Sequence, residues 1–400
     1  MVGMMAQPGA DGEDAPAARG ATVLQVLPAL GAGGGVERGT VEIAAAVVAG
    51  GGRALVASEG GVQVHELTRA GAEHVVLPLA SKNPLVMRAN VGRLAAVIEG
   101  ESVDIVHARS RAPAWSGYYA ARQTGRHFLT TFHGTYSAGN WLKRYYNSVM
   151  TRGERVIALS GFIASHIHRV YGVPSRLIRV IHRGVDLARF DPARVGAERV
   201  VTLARKWRLP DGVLVVMLPG RLTRWKGQAF LIEAIARIRR RDIRCLIVGS
   251  DQGRTAYRRE LEDLISRHGL DEVVRIVDHC NDMAAAYMLT DVVVSASSDP
   301  EAFGRVVAEA QALGCPVIAS DHGGSRETVI AGETGWLTPP GDTQALADAI
   351  EHVLDLGEAA RHALAEKAIA HVRRNFSKDA MCAKTLGVYN EILSLTHAKR

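Results

Sequence analysis

Short runs of β-branched and aliphatic residues alternate with longer helix-compatible stretches along almost all of the 400 residues. This rhythm limits the folds open to the chain more than any other feature does. TVLQVLP, RALVAS, HVVLPL, DIVHA, HFLTTFHG and RVIALS are each followed by roughly ten or more residues of helical pattern. Runs so uniformly apolar are buried on both faces, and strand–helix–strand repeats make neighbouring strands parallel. A second series starts at VLVVMLPG and continues through RCLIVGS, VVRIVDHC, DVVVSAS and CPVIAS. Two series predict two doubly wound α/β domains. Between them RGVDLARFDPARVGAE, with Gly184, Pro192 and Gly196, has no sustained period and reads as a linker. After Gly341 the pattern is helical to the end, broken at Gly357, and the stretch Ser377 to His397 carries an apolar stripe that must be buried somewhere. The division expected is a disordered leader over 1–20, an N-terminal domain over 21–190, a C-terminal domain over 191–376, and a final helix over 377–400.

Hydrophobic residues at 47% and charged residues at 22% fit a folded globular protein and exclude collagen-like or wholly disordered chains. The uncharged stretch Gly20 to Val36 is interrupted by Pro28 and four glycines, so it cannot supply the ~20 apolar residues of a membrane span. The opening MVGMMAQPGADGEDAPAARG lacks the basic and apolar regions of a signal peptide, and the expected location is the cytoplasm. Lys and Arg exceed Asp and Glu by 48 to 41, a net charge of +7, which favours anionic partners without choosing among them. Cys245, Cys280, Cys315 and Cys382 form no C-x-x-C pair and are expected as small buried residues rather than metal ligands.

Three segments carry candidate chemistry. At the first strand–helix junction, Leu30 to Glu37 holds Gly31, Gly33, Gly34 and Gly35. Such glycines let backbone amides approach an anion at a helix start, though a tight turn uses them equally. The dinucleotide fingerprint G-x-G-x-x-G is not met, because Val36 stands at its last position. The matching junction of the second series, Pro219 to Gly227, brings Arg221, Arg224 and Lys226 to the carboxyl end of a strand, where ligands of open α/β sheets bind. Arg and Lys there suit a pyrophosphate, with a solvated basic turn as the alternative. In Asp299 to Ala310, Glu301 and Glu309 stand eight residues apart around a helix expected to start near Phe303. That spacing puts one carboxylate at the helix mouth and the other about two turns down the same side. Carboxylates with apolar flanks need hydrogen-bond donors, such as sugar and ribose hydroxyls. A glycosidase pair is the competing use.

Together, E-A-F-G…A-E-A-Q-A-L-G-C-P-V-I-A-S, G-R-L-T-R-W-K-G, G-G-V-E, the Phe132-His133-Gly134 turn and the R-G-V-D of Arg183 to Asp186 resemble the family-4 retaining glycosyltransferases, in order from Gly34 to Gly335. The resemblance implies a GT-B architecture: two Rossmann-like domains facing across a cleft, with a last helix that crosses back to the N-terminal domain. It further implies that Arg221 and Lys226, in the loop opened by Gly220, neutralise the diphosphate of a nucleotide sugar, with the Gly34 and Gly35 amides closing from the other domain. Glu309 would bind the ribose and Glu301 the transferred sugar, while the backbone of Phe303, Gly304, Arg305 and Val306 meets sugar and phosphate. His133 would lie near the reacting sugar, with simple packing as its alternative. His322 in Asp321 to Gly324 departs from the commoner form of that turn.

The function expected is metal-independent retaining transfer from a nucleotide diphosphate sugar to a hydroxyl acceptor of lipopolysaccharide or another cell-envelope glycan or glycolipid, with no cofactor and no nucleic acid. The rivals are an NAD(P)-dependent oxidoreductase, with Glu59 as the ribose acid, and a non-enzymatic two-domain sugar-binding protein. His107, Arg109 and Arg111, after a strand, are candidates for the acceptor or members of a plain polar loop. Arg237 to Arg241 read as a solvated helix end. The nucleotide base is expected against the backbone near Asp278 to Asp282. In Asn140 to Arg152, Trp141, Tyr145 and Val149 share one helical face and Arg144, Ser148 and Arg152 another. This helix either lies on an anionic membrane or packs its aromatics into the core.

Overall fold

The computed structural model describes residues 20–31, 34–136, 139–240 and 242–397. The expected leader lies outside them except for Gly20. The strands are β1 (Thr22–Val26), β2 (Arg53–Ser58), β3 (Glu73–Val76), β4 (Ile105–Ala108), β5 (His127–Phe132), β6 (Arg155–Ala158) and β7 (Ile178–Val180), then β8 (Leu214–Pro219), β9 (Ile243–Val248), β10 (Val274–Val277), β11 (Val292–Ser295), β12 (Val317–Ser320) and β13 (Trp336–Thr338). All the runs singled out in the sequence form strands. β7 and β13 were not anticipated; each has three residues, shorter than the ~4 that a periodicity argument needs.

The described residues divide into two compact units, one holding those up to 108, 112–128 and those from 382, the other holding 109–111 and 129–381. In the first unit, parallel strands run β3-β2-β1-β4. All five residues of β1 are buried, and the one amide among them, Gln25, donates through Nε2 to the Thr40 carbonyl at 3.0 Å. In the second unit, β5-β6-β7 run side by side and β10-β9-β8-β11-β12-β13 form a parallel sheet. Alternation along β8 builds the cores on the two faces of that sheet. Val215 and Met217 join Trp207, Tyr287, Phe303 and Phe376, while Val216 and Leu218 join Leu231, Ile235, Leu261 and Ile350.

The last helix, Lys378–His397, begins in the second unit and from Cys382 onward belongs to the first. There Tyr389 is fully buried with its hydroxyl 2.7 Å from His107 Nδ1, and the Cys382 thiol donates to the Glu42 carbonyl at 3.6 Å. These contacts bury the stripe that the sequence required to be covered. At the start of this helix the R-G-V-D segment lies alongside the chain: Val185 N donates to Phe376 O at 2.7 Å and Lys378 N to Val185 O at 2.9 Å. A Cβ on Gly184 would come within 2.4 Å of Lys378 Cα, so only glycine fits. No helix among the described residues is long and apolar enough to cross a membrane.

Candidate active site

In the second unit's six-stranded sheet the strand order reverses between β8 and β11: β9 and β10 continue on one side of β8, and β11, β12 and β13 on the other. The loops leaving two such strands diverge and open a crevice at their carboxyl ends. The loop after β8 passes exposed Arg221 and buried Leu222 into a 3₁₀ turn, Arg224–Lys226, that ends at Gly227. Gly227 has φ +75°, and a Cβ there would lie 1.8 Å from the Ala296 carbonyl oxygen. Glycine therefore lets this turn press against the loop after β11. Across that contact Lys226 Nζ lies 2.5 Å from Glu301 Oε1, and the Ser297 hydroxyl donates to the same oxygen at 2.8 Å. Nζ also stands 4.5 Å from the centre of the Trp225 ring, close enough for a cation–π attraction. The Lys226 and Glu301 side chains are 15% and 12% exposed, a depth at which each charge needs the other.

The supports of this pair come from the chain itself. Gln228 Nε2 donates to the Arg221 carbonyl at 2.9 Å, and the Trp225 carbonyl accepts from Ser298 N at 2.8 Å. His322 Nε2 donates to the Ser297 carbonyl at 2.9 Å, and Gly324 N to the Glu301 carbonyl at 2.8 Å. His322, whose role the sequence left open, thus anchors the loop that carries Glu301. Arg221 makes no ion pair among the described residues, whereas Arg224 turns outward to Glu260 and the Tyr257 ring.

The helix bearing Glu309 is Arg305–Ala312, so it starts two residues after the expected point, and Glu309 stands little more than one turn in, not two. Gly304, at φ +88°, is its N-cap, and the Gly304 carbonyl accepts from Val307 N at 3.1 Å and from Ala308 N at 3.3 Å. The Phe303 ring packs into the core against Phe376, which leaves its backbone, not its side chain, for ligand contact. Glu309 is buried. Its Oε1 accepts from Arg305 Nη2 at 2.9 Å, and its Oε2 from the Tyr287 hydroxyl at 3.3 Å. Burial, then the adjoining carboxylate, pushes the Tyr287 phenol well up. Sugar hydroxyls are therefore not needed to satisfy either glutamate, since Lys226, Ser297, Arg305 and Tyr287 already do so.

His133 follows β5, and its Nδ1 lies 2.9 Å from Arg183 Nη2. Arg111 opens the helix Arg111–Gln123, where it donates to Asn147 Oδ1 at 3.1 Å and covers the Tyr136 ring at 4.5 Å. His107 is not in a loop after a strand, as expected, but within β4 and fully buried against Tyr389. Arg109 is buried as well. In the first unit Gly34 caps the helix Gly35–Ala49, and the Glu37 side chain occupies the space a Gly34 Cβ would take. Near the expected base site, Asp278 pairs with Arg258, and Asp282 caps the helix Met283–Met288 and pairs with Arg199.

Sequence reasoning missed Ser297, Trp225, Tyr287, His182 and Glu327. The four-residue spacing of Arg305 and Glu309 was a legible pairing sign. Glu327 reaches the start of the helix Gly161–Tyr171, accepting from Gly161 N and Phe162 N at 2.8 Å each, and lies 2.9 Å from His182 Nε2. Burial pushes its carboxyl up, but these hydrogen bonds outweigh that and hold it below the usual value.

Residues 202–371 match the family described as glycosyl transferases group 1, and residues 33–189 that described as Glycosyltransferase Family 4. A glycosyltransferase from Rickettsia africae superposes with a TM-score of 0.86 and 39% identity over 94% of this chain and 99% of that one. HepE from Anabaena, solved with UDP-glucose, superposes with a TM-score of 0.80 and 25% identity over 92% and 99% of the two chains. D-inositol 3-phosphate glycosyltransferase of Corynebacterium efficiens is 33% identical over 236 residues, 57% of this chain and 54% of that protein. The chain thus spans about half the length of several curated relatives. Both matched families are described as glycosyltransferases, not as oxidoreductases or sugar-binding proteins. Two successive family matches and a structural relative covered almost end to end place this chain, with its two Rossmann-like parallel-sheet domains, among the family-4-like glycosyltransferases of GT-B fold.

Proposed function

We propose that this protein transfers a sugar, with retention of anomeric configuration and without a divalent metal, from a nucleotide diphosphate sugar to a hydroxyl of a lipopolysaccharide or other cell-envelope glycan or glycolipid. One observation carries this reading: the contact of Lys226 with Glu301 across the switch point of β8 and β11. A diphosphate entering there competes with Glu301 for Lys226, and Arg221 offers a second cation, so the charge that develops on the leaving group is stabilised in place. Glu301, released from Lys226, turns its acceptor oxygens to the sugar hydroxyls, and Glu309 receives the ribose. Amides from Phe303 to Val306 complete the donor contacts, and the acceptor hydroxyl attacks from the face that the diphosphate leaves, its proton passing to the departing diphosphate. The domain limits 190/191 and 376/377 belong to this reading. HepE, solved with UDP-glucose, supports a nucleotide sugar donor.

Trp141, Leu142 and Tyr145 are 74%, 58% and 55% exposed beside exposed Lys143 and Arg144, which supports docking of the helix Trp141–Ser148 on an anionic membrane at the cytoplasmic face. The name of the C. efficiens relative favours a second acceptor, a phosphorylated cyclitol. Product analysis with UDP-, GDP- and ADP-sugars, each offered a glycolipid core and D-inositol 3-phosphate, tests both. Transfer that persists in EDTA and yields the donor's anomeric configuration by NMR is expected. An inverted linkage, strict metal dependence, or no transfer from any donor would sink the proposal.

A further inference from the structure

Arg183 touches His133 through a bond whose polarity is settled by chemistry. A guanidinium carries only N–H donors and stays protonated, so Nδ1 of His133, 2.9 Å from Nη2, must be the acceptor. An imidazole that accepts at Nδ1 carries its proton on Nε2 and has no net charge. The backbone flanking Arg183 is held on both sides. Ile181 N donates to Ala158 O at 2.9 Å, Gly184 N to Met381 Sδ at 3.2 Å, and Val185 is laddered to Phe376 and Lys378. The His133 turn is fastened too, its amide facing the Tyr136 hydroxyl at 3.4 Å beneath the Arg111 guanidinium.

We propose that Arg183 is a positioning residue that locks His133 in the neutral Nε2-protonated tautomer, so that His133 presents a hydrogen-bond donor, and neither a base nor an imidazolium, to the donor sugar. The functional half rests on the transferase reading above; the tautomer does not. A lone histidine samples both tautomers and the cation, whereas a buried guanidinium 2.9 Å from one nitrogen leaves one state.

The test uses the full chain labelled with ¹⁵N-histidine, the His133 signals among 15 histidines being identified by their loss in His133→Gln. At pH 7 the proton is expected on Nε2 alone. A proton on Nδ1, or on both nitrogens, overturns the proposal. Arg183→Met is expected to mix the tautomers and lower the transfer rate by about tenfold to a hundredfold, with a smaller change in donor KM. Arg183→Lys, which keeps a charged donor, should restore the tautomer and part of the rate. Arg183→Met with wild-type tautomer and rate also overturns it, and if that variant does not fold, the wild-type and Arg183→Lys spectra still decide. Absence of transfer by the wild type from UDP-, GDP- and ADP-glucose would instead count against the transferase reading, with the tautomer measured independently.

Discussion

The residues around the switch point show how one side chain changes the meaning of another. Lys226 is not a cation waiting in an open loop; Glu301 holds it and the Trp225 ring lies beneath it. Lys226→Ala or Arg221→Ala is expected to lower turnover by about two orders of magnitude, the scale of losing one stabiliser of transition-state charge, as read by steady-state kinetics. Glu301→Gln keeps the shape but removes the charge opposite Lys226, so transfer should fall strongly, with a lowered melting temperature because Lys226 stays largely buried without its counter-charge. Wild-type rates in all three would remove the site. Glu309 is bound to Arg305 and Tyr287, and a carboxylate has lone pairs left for a ribose. Glu309→Ala should therefore chiefly weaken nucleotide binding, measured by calorimetry, and also cost some stability by leaving the buried Tyr287 hydroxyl without its acceptor.

Among the elements, the helix Gly161–Tyr171 is fastened by Glu327 at its first amides, with Ser160 Oγ accepting from Ile163 N. Removing the carboxylate charge by Glu327→Gln should cost about 1–3 kcal/mol at pH 7, measured by urea unfolding. The sign of the pH dependence follows from the shift. Glu327 sits below its usual 4.5 when folded, so its contribution is full above that value and is lost as pH falls through the folded pKa. The gap between wild type and Glu327→Gln should be constant at neutral pH and close in acid, and a gap that widened in acid would contradict the assignment. In the helix Trp141–Ser148 the expected apolar stripe is split: Trp141 and Tyr145 are exposed, while Val149 starts a 3₁₀ turn and is buried. The reading in which both aromatics fill the core is thereby overturned. Sedimentation with anionic vesicles should show salt-sensitive binding, lost in the double variant Lys143→Glu, Arg144→Glu; no binding at low salt would remove the membrane from the proposed function.

For the whole molecule, the last helix is the test of how local the fold is. From Cys382 on, its buried Val388, Tyr389 and Ile392 complete the first unit, each worth roughly 1.5–3 kcal/mol of burial. Ending the chain after Met381 should therefore lower the urea midpoint sharply or abolish folding, and an unchanged midpoint would show the helix to be dispensable.

The sequence by itself determined the parallel α/β class, nearly every strand and the family, because apolar runs of strand length alternating with helical ones admit few other architectures and the glycine-bearing turns recur in family order. It also singled out Arg221, Lys226, Glu301 and Glu309 as candidates, since charged side chains with apolar flanks after a strand or in a helix stand out. Only the tertiary structure decided which of these meet. Lys226 and Glu301 are 75 residues apart, and His133 and Arg183 are separated by 50. Sequence periodicity reports which face a residue occupies within its own element and carries nothing about the neighbour supplied by another strand's loop. For the same reason His107, legible as a polar residue near a strand end, became a buried partner of Tyr389, 282 residues away. Partner choice over such distances is set by strand order, which reverses between β8 and β11 and brings their loops together.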